Sequence, residues 1–317
     1  MKRSHTTRER VPARGEARRG GNIFAGDGWR IACTRGITVL EARALKILPW
    51  LVHGFSTRPG GVSVLGDSRV LNLGSAEWDS TEAVAANRMA FLQSLGARRA
   101  ALARLRQCHS DVIHRVDASL ARPLRGDALL TRAPGVLLAV QAADCVPILL
   151  ADRRRHAVAA VHAGWRGTLA RIAEKALGRM RMEFDTRAED VLAVLGPAIG
   201  SCCYEVGPEV AQAFAGQFGD AREWFEGPFD RLATGDDPAP FPWLSMTPPG
   251  HEAPAPRVRL DLRAANRRQL EAAGVPRAQI VVSALCTACR TDLLFSHRRE
   301  NGRTGRMMAV IGIRSTR

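Results

Sequence analysis

Three apolar runs follow one another closely: Val136 to Ala142, Val146 to Ala151 and Ala157 to Val161. None of them alternates with polar residues. Each therefore reads as a strand buried on both faces rather than a strand with one wet side. A strand of that kind must be covered by other elements on both sides. Val191 to Leu195, ending in Gly196-Pro197, and Met307 to Ile313 read as two further strands.

Between these runs the apolar period becomes helical. Asp79 and Ser80 offer caps for a helix through Gly96, with Val84, Phe91, Leu92 and Leu95 on its apolar side. After Trp165-Arg166-Gly167, the residues Leu169, Ile172, Ala173, Ala176, Leu177 and Met180 recur at helical spacing. Pro208 opens a helix that carries Val210, Phe214 and Phe218 on one side, and Asp261 caps another that ends near Gly274.

Folded sequence is expected to begin between Ile23 and Trp29. Residues 1–22 carry seven basic and two acidic side chains without apolar periodicity, and read as a disordered basic arm. Residues 228–256 hold eight of the 17 prolines and read as a long exposed loop. Strands and helices on both sides of that loop belong to one core, so 23–317 reads as a single catalytic domain. No apolar run reaches the roughly eighteen residues of a membrane span, and the N-terminus lacks the apolar stretch of a secretory signal. A cytoplasmic protein is expected.

The formal net charge is +15, and only Lys2, Lys46 and Lys175 of the 46 basic residues are lysines. A basic surface attracts anions and nucleic acid. Here the charge is spread along the chain and aromatic residues for base stacking are few, so no nucleic-acid partner is expected. The seven cysteines, an odd number without an export signal, argue against a disulfide framework. Cys286-x-x-Cys289 has redox or zinc spacing but lacks a second such pair, and the adjacent Cys202 and Cys203 cannot readily chelate one ion together. All but Cys145 read as small buried hydrophobes.

Chemistry concentrates at three points. His109 stands in Gln107-Cys108-His109-Ser110, Cys145 in Ala143-Asp144-Cys145-Val146-Pro147, and His162 in Val161-His162-Ala163-Gly164-Trp165-Arg166-Gly167. Each lies at the end of an apolar run or at a break in one. Singly, each reads as a structural residue. Together, one thiolate and two imidazoles suit a tetrahedral zinc with its fourth position open, the arrangement of a catalytic site. The wide spacing means that the fold must assemble it.

Asp144 is a candidate proton carrier, although neighbours in a strand point to opposite faces, so it reaches the site only if the chain bends there. Asp127 reads as a turn residue ahead of a functional acid. The Gly164–Gly167 turn opens a helix, and its free N–H groups with Arg166 suit an anion as well as they suit a plain tight turn. His53 to Ser63, with Arg58, is a polar Gly-rich loop with the composition of a phosphate cradle but no Walker pattern. Phe295 to Arg306, with Arg298 and Arg299, is a second basic loop. Arginine pairs well with phosphate.

In order along the chain, several segments resemble the YfiH-type family. They are His53-Gly54-Phe55-Ser56-Thr57-Arg58 with Gly60-Gly61-Val62-Ser63, Leu71-Asn72-Leu73-Gly74, Asn87-Arg88, and Gln107-Cys108-His109. The series continues with Ala142-Ala143-Asp144-Cys145-Val146-Pro147, His162-Ala163-Gly164-Trp165-Arg166-Gly167 and Gly196-Pro197-Ala198-Ile199-Gly200. It closes with Cys203-Tyr204-Glu205-Val206, Cys286-Thr287, and Phe295-Ser296 through Arg306. This family is known both as laccase-domain, multicopper polyphenol oxidase-like proteins and as zinc-dependent purine nucleoside phosphorylases.

The resemblance implies two packed mixed β-sheets with helices on the outside, an α/β/β/α layered sandwich. It implies His109, Cys145 and His162 as metal ligands. It also implies phosphorolysis of adenosine, inosine, guanosine and methylthioadenosine, with adenosine deamination. The partners would be a nucleoside and phosphate, with no obligate protein partner. Zinc lowers the pKa of a bound water to about 7, which suits attack on a purine ring carbon. Arg58, Arg166, Arg298 and Arg299 are the candidates for holding phosphate.

The chain departs from the family's usual pattern at Cys108 and Ser110, which replace Val and Gly around the histidine, and at His297, where an aromatic residue is usual. Two alternatives accompany the family. Copper-dependent phenol oxidation needs many clustered histidines, and the eight in this chain include no His-x-His pair. Hydrolysis of an amide in a mis-made peptidoglycan precursor would use the same metal.

Overall fold

A computed structural model describes residues 28–118, 120, 122–234 and 257–315. The 1–22 arm and residues 235–256 lie outside the described residues.

Every apolar run becomes a strand: Val136–Ala142, Val146–Asp152, Ala157–Ala163, Val191–Leu195 and Met307–Ile313. They divide between two mixed sheets. The seven-stranded sheet runs Trp29–Thr34, Ile37–Ala42, Leu51–Ser56, Met307–Ile313, Val136–Ala142, Ala101–Arg106, Leu124–Arg125. The six-stranded sheet runs Ile280–Val282, Val191–Leu195, Val146–Asp152, Ala157–Ala163, Ala128–Thr131, Ile113–Arg115.

Alternation within the runs explains why both faces are apolar. Leu138 and Val140 point between the sheets, where they meet Leu149, Ala151, Val158 and Ala160 of the second sheet. Their neighbours Leu137 and Ala139 point the other way, to Phe91 and Leu92 of the helix Thr81–Ser94. On the second sheet, Ile148, Leu150, Ala159 and Val161 face the helix Ile172–Phe184 through Ala173, Ala176, Leu177 and Met180. Helix, sheet, sheet and helix thus form the four layers that the resemblance implies.

Three expectations change in detail. The helical stretch after Trp165 is two helices, Trp165–Leu169 and Ile172–Phe184, because Arg171 takes a left-handed conformation with φ 59°. Pro228 does not begin a loop. It precedes the short helix Phe229–Thr234, whose Phe229 and Leu232 lie three apart on one face and are buried in the core. The Gly-rich segment from His53 is not a loop either, since Leu51–Ser56 is a wholly buried strand and Pro59–Leu65 is another strand.

Candidate metal centre and active-site cavity

His109, Cys145 and His162 come from strand ends. His109 follows Ala101–Arg106, Cys145 lies in the link between Val136–Ala142 and Val146–Asp152, and His162 stands near the end of Ala157–Ala163. The fold gathers their ligand atoms within 4.8 Å of one another. Cys145 Sγ and His109 Nε2 are 3.7 Å apart. A tetrahedral zinc with bonds of 2.0–2.1 and 2.3 Å would separate these two atoms by about 3.6 Å. A Cβ at Gly164 would lie 2.8 Å from His109 Cδ2 and 3.0 Å from Cys145 Sγ, so the turn after His162 leaves the triad room that only glycine allows. This donor set fits one metal ion.

Asp127 organises the centre. It is fully buried, and its Oδ1 lies 2.9 Å from His162 Nδ1, which leaves Nε2 of that ring for the centre. A carboxylate behind a ligating imidazole is the usual way to fix its tautomer and raise its basicity. The same carboxylate accepts hydrogen bonds from the backbone N–H groups of Cys108, His109 and Ser110. These bonds hold His109 at φ 57°, a strained value for a non-glycine residue.

Burial opposes ionisation of Asp127, but hydrogen bonds from His162 and Ser110 outweigh it and hold the carboxyl well below the usual carboxylate range. Burial likewise opposes the Cys145 thiolate. The charge and hydrogen bonding of His162 and His109 overcome it and bring the thiol down to about 6. Burial would lower the pKa of His162, yet Cys145 and Asp127 raise it to about 9. Without metal the three groups form a proton-holding cluster, and a metal cation would take the place of those protons.

Asp144 reaches the site because the chain does bend there: its φ is 99°. Its Oδ1 accepts from Thr287 Oγ1 at 2.6 Å and its Oδ2 from the Arg298 backbone N–H at 2.7 Å. It thus anchors the 287 and 298 segments beside Cys145.

The triad opens into a cavity of about 660 Å³. Arg166 and Arg298 line it, as do Asp144, Tyr204 and His297. Arg166 lies over the Trp165 ring, and Arg298 over that of Tyr204. Arg58 and Arg299 are not among the lining residues. The Arg58 guanidinium is held instead by Glu300 at 2.6 Å and by the face of Phe295, in the wall of the molecule.

Four arginines that the sequence did not single out for this role line the cavity instead: Arg88, Arg104, Arg106 and Arg306. Burial, followed by the charge of Arg104, lowers the pKa of Arg88 to about 10. Burial lowers those of Arg104 and Arg306 as well. Arg88 Nε donates to the Leu73 carbonyl at 2.9 Å and Arg306 Nη1 to the Gly305 carbonyl at 3.0 Å, and neither pairs with a carboxylate among the described residues. Half-buried guanidinium groups that face a cavity and have no carboxylate paired to them suit an anionic ligand.

The Leu71-Asn72-Leu73-Gly74 segment sets them in place. Asn72 Oδ1 accepts from the Arg306 N–H, and the Leu73 carbonyl takes both Arg88 Nε and Gln141 Nε2. A signal for Arg104 was present in the sequence. It alternates with the buried Ala103 and Leu105 and so faces away from the core.

A family model described as multi-copper polyphenol oxidoreductase laccase matches residues 52–314. The chain belongs to this laccase-like family. Among the chains similar to it is a purine nucleoside phosphorylase of Deinococcus radiodurans, 38% identical over 279 residues that cover 88% of this chain and 94% of that one. An adenosine deaminase RL5 from an unknown prokaryotic organism is 34% identical, covering 82% and 93%. A solved structure of a hypothetical protein YfiH from Bacillus licheniformis superposes with a TM-score of 0.74 at 31% identity, over 91% of this chain and all of that one. The laccase-like matches thus carry two chemistries in their names, and neither is the phenol oxidation of the family description.

Proposed function

We propose that this chain is a metal-dependent purine nucleoside phosphorylase that also deaminates adenosine. The observation that carries the proposal is one cavity that holds both the His109, Cys145 and His162 triad and a set of half-buried arginines without carboxylate partners. The names of the similar chains support the same reading.

His109, Cys145 and His162 would hold zinc, with copper as the less suitable occupant. When bound, the ion supplies Lewis acidity toward a substrate oxygen or a water. The chain's own residues do the rest. Asp127 keeps His162 in one tautomer. Arg88, Arg104 and Arg306, with Arg166 and Arg298, hold phosphate for attack at the ribose. Asp144 lies beside Cys145 to carry a proton between water and the purine. Arg58 and Arg299 have no direct part, contrary to the reading from sequence.

Several-copper phenol oxidation would need many histidines around the ions. Among the described residues, the groups able to hold a metal contain two histidines in all.

Incubation of metal-analysed protein with inosine and adenosine, with and without phosphate, tests the proposal. Base release that requires phosphate and inosine formed from adenosine are the expected products. If neither forms, the proposal fails and cleavage of a cell-wall amide takes its place. Arg104→Gln and Arg306→Gln should each raise the KM for phosphate by about tenfold to a hundredfold, the worth of one charge-assisted hydrogen bond. Adenosine deamination, which needs no phosphate, should change far less. Equal loss of both activities would assign these arginines to nucleoside binding or to the fold.

A further inference from the structure

Cys202, Cys203, Cys286 and Cys289 read as isolated core thiols in the sequence, and the fold overturns that reading. Their sulfurs all lie within 4.8 Å of one another. Cys289 Sγ is 3.4 Å from Cys203 Sγ and 3.6 Å from Cys202 Sγ. Only Cys286 is buried, while Cys202 and Cys289 are exposed. Apolar packing explains one buried thiol. It does not explain four sulfurs drawn to one point, two of them at the surface.

We infer that these four cysteines form a second metal site, a closed four-thiolate centre of the structural zinc type. Tetrahedral zinc with bonds of about 2.3 Å places its sulfurs about 3.8 Å apart, close to the spacings here. The adjacency of Cys202 and Cys203 is no obstacle, since each already lies within bonding range of a common centre with Cys289.

The surroundings of Cys286 favour a thiolate. The Gly200 N–H donates to Cys286 Sγ at 3.2 Å. A Cβ at Gly200 would lie 2.9 Å from Arg263 Nη2 and 3.2 Å from Cys202 Sγ, so glycine lets a guanidinium approach the sulfurs. Arg263 is fixed there by Nη1, which donates to the carbonyls of Ser283 and Leu285 at 2.7 and 3.3 Å. Its charge offsets part of the net negative charge of four thiolates around a divalent ion.

The site would act as a clasp beside the cavity. It joins the segment around Gly200 to the segment around Cys286, which already meet through a bridge between Ala198 and Cys286. The residues after two of the clasp cysteines point to chemistry. Tyr204 follows Cys203 and lines the cavity. Thr287 follows Cys286 and donates to Asp144. The metal would therefore hold Tyr204 and the Thr287–Asp144 hydrogen bond in register without touching substrate.

The test uses the full chain, purified under reducing conditions, with metal content measured on wild type and variants. Cys145→Ala removes the first centre, so this variant should keep about one zinc per chain, and Cys145→Ala/Cys289→Ser should keep essentially none. Circular dichroism checks that both fold. Should the double variant fail to fold, a mercurial thiol reagent titrated into Cys145→Ala gives a second measurement, in which zinc release into an indicator dye should track modification of the four clasp thiols. Cobalt reconstitution of Cys145→Ala should also give the strong sulfur-to-metal absorption of a four-thiolate tetrahedral centre. The inference is overturned if Cys145→Ala carries no metal while its cysteines alkylate freely. A mass short by two hydrogens, which marks a disulfide, overturns it as well.

Discussion

Asp127 is the residue on which the candidate metal centre turns. One buried carboxylate accepts the His162 ring proton and three consecutive backbone N–H groups. It therefore sets two ligands at once, the ring orientation of His162 and the backbone of His109. Asp127→Asn keeps the shape but weakens the acceptor toward the imidazole. Metal affinity should fall by about tenfold to a hundredfold, as measured by competition with a chelating dye, while the fold persists. Asp127→Ala should go further and destabilise the protein by at least about 1–3 kcal/mol, because buried N–H donors lose their acceptor. Unchanged affinity in Asp127→Asn would remove Asp127 from the centre. Arg58 gives the opposite lesson. Its place in a Gly-flanked polar segment suggests a phosphate contact, yet Glu300 binds it first.

The strand Leu51–Ser56 shows how an element can hide a titratable group. His53 Nε2 accepts the Ala42 N–H at 3.0 Å inside the sheet. Burial pushes the imidazole down to about 4, and the nearby Glu41 charge offsets this only in part, with Lys46 acting against it. Protonation would turn Nε2 into a donor and leave the Ala42 N–H without its acceptor. Above about pH 6.5 the ring is neutral in folded and unfolded chains alike, and its contribution to stability is complete. As the pH falls toward about 4 the unfolded chain takes up a proton that the folded chain refuses, so stability drops by up to about 3 kcal/mol. Urea unfolding of wild type and His53→Gln across that range checks this, and parallel curves would refute it. The helix Thr81–Ser94 offers a smaller test. Ser80 Oγ caps it by accepting the Ala83 N–H, and Ser80→Ala should cost about 1 kcal/mol in the same assay.

At the scale of the whole molecule, the candidate metal centre lies where the two sheets are joined. His109 follows a strand of the seven-stranded sheet, His162 belongs to the six-stranded sheet, and Cys145 sits in the link between them. An ion bound there would tie the layers together and would bind only the folded arrangement. Metal at about a hundredfold over its Kd then adds about 2.7 kcal/mol, on the order of 5 °C in melting temperature for a chain of this size. Calorimetry with and without chelator should show that shift in wild type, and Cys145→Ala should show less of it. An equal shift in both proteins would place the stabilising metal elsewhere, with the four-cysteine clasp as the first candidate.

The strands were legible in the sequence because they are encoded locally, the layer count came with the family resemblance, and the structure brings together His109, Cys145 and His162 from the ends of such runs. A strand covered on both faces must be apolar at every position, and a polar residue at the end of such a run stands out. Caps such as Ser80 and Asp261 are local for the same reason. Tertiary structure decided what depends on distant segments meeting. Asp127 looks like a turn residue until His162, 35 positions away, brings its ring to it. Arg88, Arg104 and Arg306 become one wall only when a helix, a strand and a loop converge around Leu73. Cys202 and Cys203 meet Cys289, which lies 87 and 86 positions along the chain from them. Side-chain periodicity records which face of an element is buried, but it does not record which element covers that face. That pairing is settled by packing, and the cavity, its arginines and the cysteine clasp are its products.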